Sequence, residues 1–147
     1  MYVQVQLDSS VGYALKRTAA ALRTAMDAAL RPLSLTVPQY ACLEILGHRP
    51  GLSGAELARA AFVTRQSMHA LLRGLEERGL LTRPASAPHG RALPTELTPA
   101  GRAALESASA AVARVERAMV DRLSPAGLDR LRRDLVECAQ ALEGAGG

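Results

Sequence analysis

The chain predicts a mainly α fold carrying one small β-hairpin wing, and three observations point there. Residues 53–98 run as a capped helix, a tight turn, a second amphipathic helix and two extended runs separated by turn formers. On either side, residues 9–35 and 99–143 repeat apolar side chains at spacings of three and four. No linker, solenoid-period repeat or low-complexity block beyond alanine richness interrupts the 147 residues, so one domain over 1–147 is expected. That order describes a winged helix-turn-helix lobe at 36–98, preceded and followed by long helices.

The first helix is expected from Val11 to Leu33. Leu15, Leu22, Met26, Leu30 and Leu33 recur with Ala19 and Ala29 between them, behind a cap at Ser9 or Ser10. Pro32 bends or ends it within one turn, because proline lacks the amide proton and clashes with the preceding turn. Thr36-Val37-Pro38 starts the next helix with proline in an acceptable first-turn position. Tyr40, Ala41, Cys42, Leu43, Ile45 and Leu46 make it apolar over most of its circumference, which predicts the most buried helix. His48-Arg49-Pro50-Gly51 ends it.

Ser53-Gly54-Ala55-Glu56 has the form of a capping box, with Leu57 and Ala61 as the short buried side of the helix that follows. Thr64 begins another helix, whose inward stripe is Met68, Leu71, Leu72 and Leu75 and whose stop is Gly79. The face turned away from that stripe carries Gln66, His69 and Arg73, with Arg65 and Ser67 beside them in the first turn. This set is rich in donors and acceptors that suit base edges and phosphates.

Leu80-Leu81-Thr82-Arg83 and the run from Arg91 to Thr98 flank a loop containing Pro84, Pro88 and Gly90, which predicts the hairpin. Pro94 cannot donate a ladder hydrogen bond, so its strand is an edge or breaks there. Arg91, near the tip, is positioned to enter a minor groove, where narrow A·T-rich stretches have enhanced negative potential. Thr98-Pro99 then opens a helix with Leu105, Ala108, Val112, Val115, Met119 and Leu123 in register. Ser124-Pro125 opens the last, with Leu128, Leu131, Leu135, Cys138 and Leu142, before the glycine-rich end at 144–147.

Charge is concentrated where the helix-turn-helix lies. Residues 49–91 hold seven arginines against three glutamates, which accounts for the whole formal charge of +4. Cys42 and Cys138 have no metal-ligand spacing, so neither a metal site nor a disulfide framework is indicated, and no cofactor motif occurs. Both cysteines lie on apolar stripes without a cationic neighbour, which predicts buried, inert thiols. His48, His69 and His89 sit in separate segments without a nucleophile elbow or paired carboxylates, which argues against an enzyme. The start of the chain lacks a signal-peptide pattern and no apolar run approaches a membrane span, so a soluble cytoplasmic protein is expected, with no membrane partner.

The run Leu75-Glu76-Glu77-Arg78-Gly79-Leu80-Leu81-Thr82-Arg83, the wing arginine Arg91 and the closing Leu97-Thr98-Pro99-Ala100-Gly101 together resemble the MarR family of bacterial winged helix-turn-helix transcription regulators. The resemblance covers nearly the whole chain. It implies a homodimer whose terminal helices, 9–35 and 99–143, interleave as dimerisation helices, binding a near-palindromic site on double-stranded DNA, usually as a repressor. Arg65, Gln66, Ser67 and His69 are then expected to read bases, Thr64 and Arg73 to hold phosphates, and Arg91 to enter the minor groove, with Ser53 and Arg83 completing the DNA-binding set. A small-molecule effector is expected between the dimerisation helices and the reading lobe, with Tyr13, Met26 and Tyr40 as lining candidates. Oxidation of a cysteine is the alternative switch, and a protein-interaction module without specific DNA binding is the alternative use of the fold.

Two positions depart from the family pattern. Phe62 stands in the turn between the two helices where glycine is frequent, so either that turn is built differently or Phe62 plugs the core. The wing tip reads His89-Gly90-Arg91 instead of an Asp-x-Arg pattern.

Overall fold

Ser10 begins the helical part of the molecule: its Oγ accepts the Tyr13 amide at 3.1 Å and caps α1 (Val11–Leu30), so of the two serines Ser10 is the cap. The computed structural model describes residues 4, 6–83 and 94–145. Pro32 lies in a 3-10 turn at Arg31–Leu33 that closes α1, as its missing amide requires. Ser34 follows at φ 57°, its amide donating to the Arg31 carbonyl and that of Leu35 to the Leu30 carbonyl.

Helix α2 (Val37–His48) carries a reciprocal capping box between Thr36 and Gln39, with Pro38 in the first turn. It buries Tyr40, Cys42, Leu43 and Leu46. Helix α3 (Gly54–Ala61) is short and buries Leu57 and Ala58, whereas Ala61 is only partly covered. Leu57 and Ala61 both face the core as expected, Ala61 only partly covered, and Ala58 joins them on the buried side.

Helix α4 (Arg65–Glu77) buries Met68, Leu72 and Leu75 and half-buries Leu71, the stripe its spacing predicts. Gly79, at φ 73°, ends it: its amide donates to the Glu76 carbonyl and the Leu80 amide to the Leu75 carbonyl. The hairpin base pairs β1 (Leu81–Thr82) antiparallel with β2 (Glu96–Leu97), Leu81 opposite Leu97 and Thr82 opposite Glu96. Pro94 stands outside β2, and the chain reaches the ladder only after it. Thr95 ties the connection between α2 and α3 to this base. Its amide donates to the Leu52 carbonyl and its carbonyl accepts the Gly51 amide, both at 3.1 Å.

Helix α5 (Pro99–Val120) is capped by Thr98 and helix α6 (Pro125–Ala145) by Ser124, through the Gly101 and Gly127 amides at 3.0 Å each. The chain divides into two units, Met1–Val115 and Glu116–Gly147. In the first, Leu30, Leu43, Leu46, Leu57, Met68, Leu72, Leu75 and Leu81 are fully buried and Ala108 and Val112 of α5 join them. In the second, α6 buries no residue, and Leu128, Leu131, Leu135, Val136 and Leu142 are exposed. Cys138 is exposed too, which corrects the expectation that both thiols are buried. A stripe at helical spacing says which side of a helix is apolar, and covering that side takes a partner surface.

Candidate nucleic-acid interface

The leading end of α4 is built by local hydrogen bonds. Thr64, extended at φ −72° and ψ 158°, accepts the Ser67 amide on Oγ1 at 3.0 Å and donates its own hydroxyl to Ser67 Oγ at 3.0 Å. The two hydroxyls lock the first turn while leaving its other amides open, and the partial positive charge of a helix start favours an anion there.

Arg65, Gln66, Ser67, His69 and Arg73 are all exposed: Gln66, His69 and Arg73 on the side away from fully buried Met68, Leu72 and Leu75, and Arg65 and Ser67 in the first turn beside them. Among the described residues, the side chains of Arg65, Gln66, His69 and Arg73 make no ion pair or hydrogen bond. Five polar side chains with unspent donors thus project from a helix whose opposite side is anchored in the core. Such a surface can bridge guanine or adenine edges and hold phosphate oxygens.

The remaining expected DNA contacts fall into different surroundings. Ser53 is buried, and its hydroxyl accepts the Glu56 amide while Glu56 Oε1 accepts the Ser53 amide, each at 3.2 Å. The backbone bond from Ser53, followed by its side chain, holds the Glu56 carboxyl below its ordinary value of 4.5. Arg83 is half-buried with its amide donating to Glu76 Oε2 at 3.2 Å, so Glu76 secures the start of the wing. Arg78 is exposed but engaged within the chain, its Nη1 donating to the Ser34 carbonyl at 2.8 Å. Arg91 and His89 lie outside the described residues.

Phe62 resolves the first family departure in an unexpected way. The turn is not rebuilt: Phe62 itself takes the left-handed conformation, φ 59° and ψ 40°, at the end of α3. Its amide donates to the Arg59 carbonyl at 3.3 Å and the Val63 amide to the Ala58 carbonyl at 3.0 Å, the pairing that usually carries glycine. Nor does Phe62 plug the core, since the residue is 92% exposed. Val63 packs against the core in its place.

The three effector candidates are not gathered on one surface. Tyr40 is in the core and Met26 packs half-buried against it. Tyr13 lies thirteen positions before Met26 on α1, about 20 Å of helix rise away. Tyr13 instead lines an open groove of about 430 Å³ with Leu7, Ser10, Arg17 and Thr18. Arg17, four positions after Tyr13 on the same side of α1, lines this groove with it. Cys42 is fully buried, its sulfur 3.9 Å from Met68 Sδ, and burial pushes its thiol up to about 11. Among the described residues no group of three or more His, Cys, Asp or Glu side chains could hold a metal, and no helix is long and apolar enough to cross a membrane.

Comparison with known proteins agrees with this geometry. A family model described as "MarR family" matches residues 33–92. The chain is 48% identical over 117 residues to the HTH-type transcriptional repressor Rv2887 of Mycobacterium tuberculosis, covering 80% of this chain and 84% of that protein. The crystal structure of the Mycobacterium tuberculosis MarR family protein Rv2887 in complex with DNA superposes with a TM-score of 0.76 at 41% identity, covering 89% of this chain and 98% of the other. The complex of that protein with salicylic acid gives 0.72 at 44% identity, covering 89% and 97%. Helix order, hairpin wing and sequence identity agree, and the chain belongs to the MarR family of winged helix-turn-helix proteins.

Proposed function

We propose that this chain is a DNA-binding transcription repressor that acts in the cytoplasm as a homodimer on a near-palindromic operator and is released by a small aromatic acid. One observation carries the reading: α4 presents Arg65, Gln66, Ser67, His69 and Arg73 to solvent with their side-chain donors largely unspent, while its other side is sealed into the core. In this reading Arg65, Gln66, Ser67 and His69 address base edges, and Thr64 and Arg73 address phosphates. Arg83 brings the root of the wing to the backbone and Arg91 enters the minor groove, whereas Ser53, buried and paired with Glu56, acts as the cap that sets α3 instead of the DNA contact expected of it. Regulation by DNA binding, without catalysis, is the activity this surface supports.

Dimerisation is supported by α6, whose Leu128, Leu131, Leu135, Val136 and Leu142 are all exposed in the single chain. A two-fold dimer covers such a face with its own copy and presents two reading heads about one helical turn of DNA apart. The effector reading draws on the relative solved with salicylic acid. In this chain the groove beside Tyr13 offers a tyrosine ring and the Arg17 guanidinium, with the Asp8 carboxylate also on its wall, so an aromatic carboxylate would be held by Arg17 with its acid group turned from Asp8.

Fluorescence anisotropy of DNA from immediately upstream of the coding region, titrated against scrambled DNA over a range of salt, tests the reading. Selective binding by two chains per site, weakened by salicylate, is expected. Equal affinity for both sequences would overturn the assignment of α4 as a base-reading helix.

A further inference from the structure

Phe62 breaks two local rules at once. A bulky side chain occupies a left-handed position where the absence of a Cβ is preferred, and the only phenylalanine of the chain is 92% exposed instead of buried. Neither cost is offset within the protein, because the neighbour that packs inward from this turn is Val63. Such uncompensated choices concentrate at functional surfaces.

Its place in the fold indicates what the ring meets. Phe62 closes α3 and stands two positions before Thr64, the cap of α4, so the turn is held by α3 hydrogen bonds on one side and the Thr64–Ser67 pair on the other. The exposed residues around it in sequence are Arg59, Thr64, Arg65 and Gln66, cationic or hydrogen-bonding. Ala60, Ala61 and Val63 beside it are only partly exposed, so the apolar surface along this turn is one ring with small flanks, less than a protein partner needs. DNA offers isolated apolar surface, thymine methyls and deoxyribose carbons, within a polyanion that the surrounding arginines attract.

We infer that Phe62 is a DNA-contacting residue of the reading head, packing its ring on the apolar surface of the operator beside the bases addressed by Arg65 and Gln66. The inference rests on the DNA-binding reading above and adds to it an aromatic contact from the turn. It also accounts for retention of the side chain where glycine relieves the backbone.

Phe62→Gly tests it cleanly, because glycine adopts the native turn without strain and the variant folds with an unfolding temperature at or above that of the parent. Expected is a loss of operator affinity of about five- to tenfold, the scale of covering part of one aromatic ring, with an unchanged salt slope because no charge is removed. Phe62→Asn, which also tolerates the left-handed turn, should behave alike, and Phe62→Leu should recover part of the loss. Replacing operator thymines by deoxyuridine distinguishes the two apolar sources. A loss seen with the parent and absent from Phe62→Gly assigns the methyl, and no such difference assigns the deoxyribose. Parental affinity in both Phe62→Gly and Phe62→Asn, with Gln66→Ala still impaired, would overturn the Phe62 contact alone. Failure of the parent to select operator over scrambled DNA would overturn it together with the DNA-binding reading.

Discussion

Gly101, in the first turn of α5, lies so close against the Leu80 carbonyl that a Cβ at that position would overlap the oxygen. The same carbonyl accepts the Thr98 amide at 3.1 Å, and Thr98 Oγ1 both accepts the Gly101 amide and donates to the Gly79 carbonyl at 2.6 Å. The Leu-Thr-x-x-Gly run is therefore a clasp joining the end of α4, the hairpin and the start of α5. Its glycine is selected by backbone approach within a helix.

Gly101→Ala is expected to destabilise the fold by about 1–3 kcal/mol, the usual range for forcing a methyl group into occupied space. Gly74→Ala is the internal control: nothing lies within 4 Å of a Cβ there. Being in the interior of α4, this change should add about 0.5–1 kcal/mol. Opposite shifts in denaturant midpoint bear this out, and equal shifts would contradict it.

Acid should weaken the α3 cap. The Glu56 carboxyl is lowered in the folded protein, mainly by the Ser53 backbone bond, so its contribution is present above the ordinary carboxylate range and disappears as pH falls through the folded value. The gap in unfolding temperature between the parent and Glu56→Ala should therefore narrow between neutral pH and about pH 3. Ser53→Ala, which removes the hydroxyl acceptor of the Glu56 amide, should cost about 1 kcal/mol at neutral pH.

Thiol chemistry separates the two cysteines. With its thiol raised to about 11 and its sulfur sealed against Met68, Cys42 should resist alkylation in the folded protein and react once denaturant is added. Cys138 is exposed in the single chain but shares the α6 stripe that the proposed dimer covers, so it should label faster than Cys42, and more slowly as rising protein concentration favours the dimer. Mass spectrometry after iodoacetamide treatment reads both. Native-state labelling of Cys42 at the denatured rate would mean that the α2–α4 contact opens readily.

Gln66 and Arg73 should differ in kind. Gln66→Ala is expected to lose about 1–3 kcal/mol of discrimination between operator and scrambled DNA. Arg73→Ala should weaken both by a similar factor and flatten the salt dependence by roughly one phosphate contact. An unaltered salt slope in Arg73→Ala would remove that arginine from the phosphate set.

The caps at Thr36, Ser53, Thr64, Thr98 and Ser124 were legible in the sequence because each hydrogen bond closes within three residues. The inward stripe of α4 was legible for a related reason, since three fully buried residues recur at helical spacing. The exposed reading face follows from that stripe by geometry alone. Local chemistry and periodicity thus determined the order of elements, their starts and the side of α4 that points outward.

Contacts between distant segments were decided only by the tertiary structure. Arg78 is diverted to a carbonyl 44 positions away, Glu76 secures the wing root, and Leu80 presses on Gly101. Ser53 is buried where α3 meets its neighbours, Cys138 stays exposed because α6 buries nothing in the single chain, and Phe62 turns outward while Val63 turns in. The physical reason is common to all of them. Periodicity and capping report interactions over a few residues, whereas burial and backbone approach depend on which surfaces meet once the chain has folded back on itself.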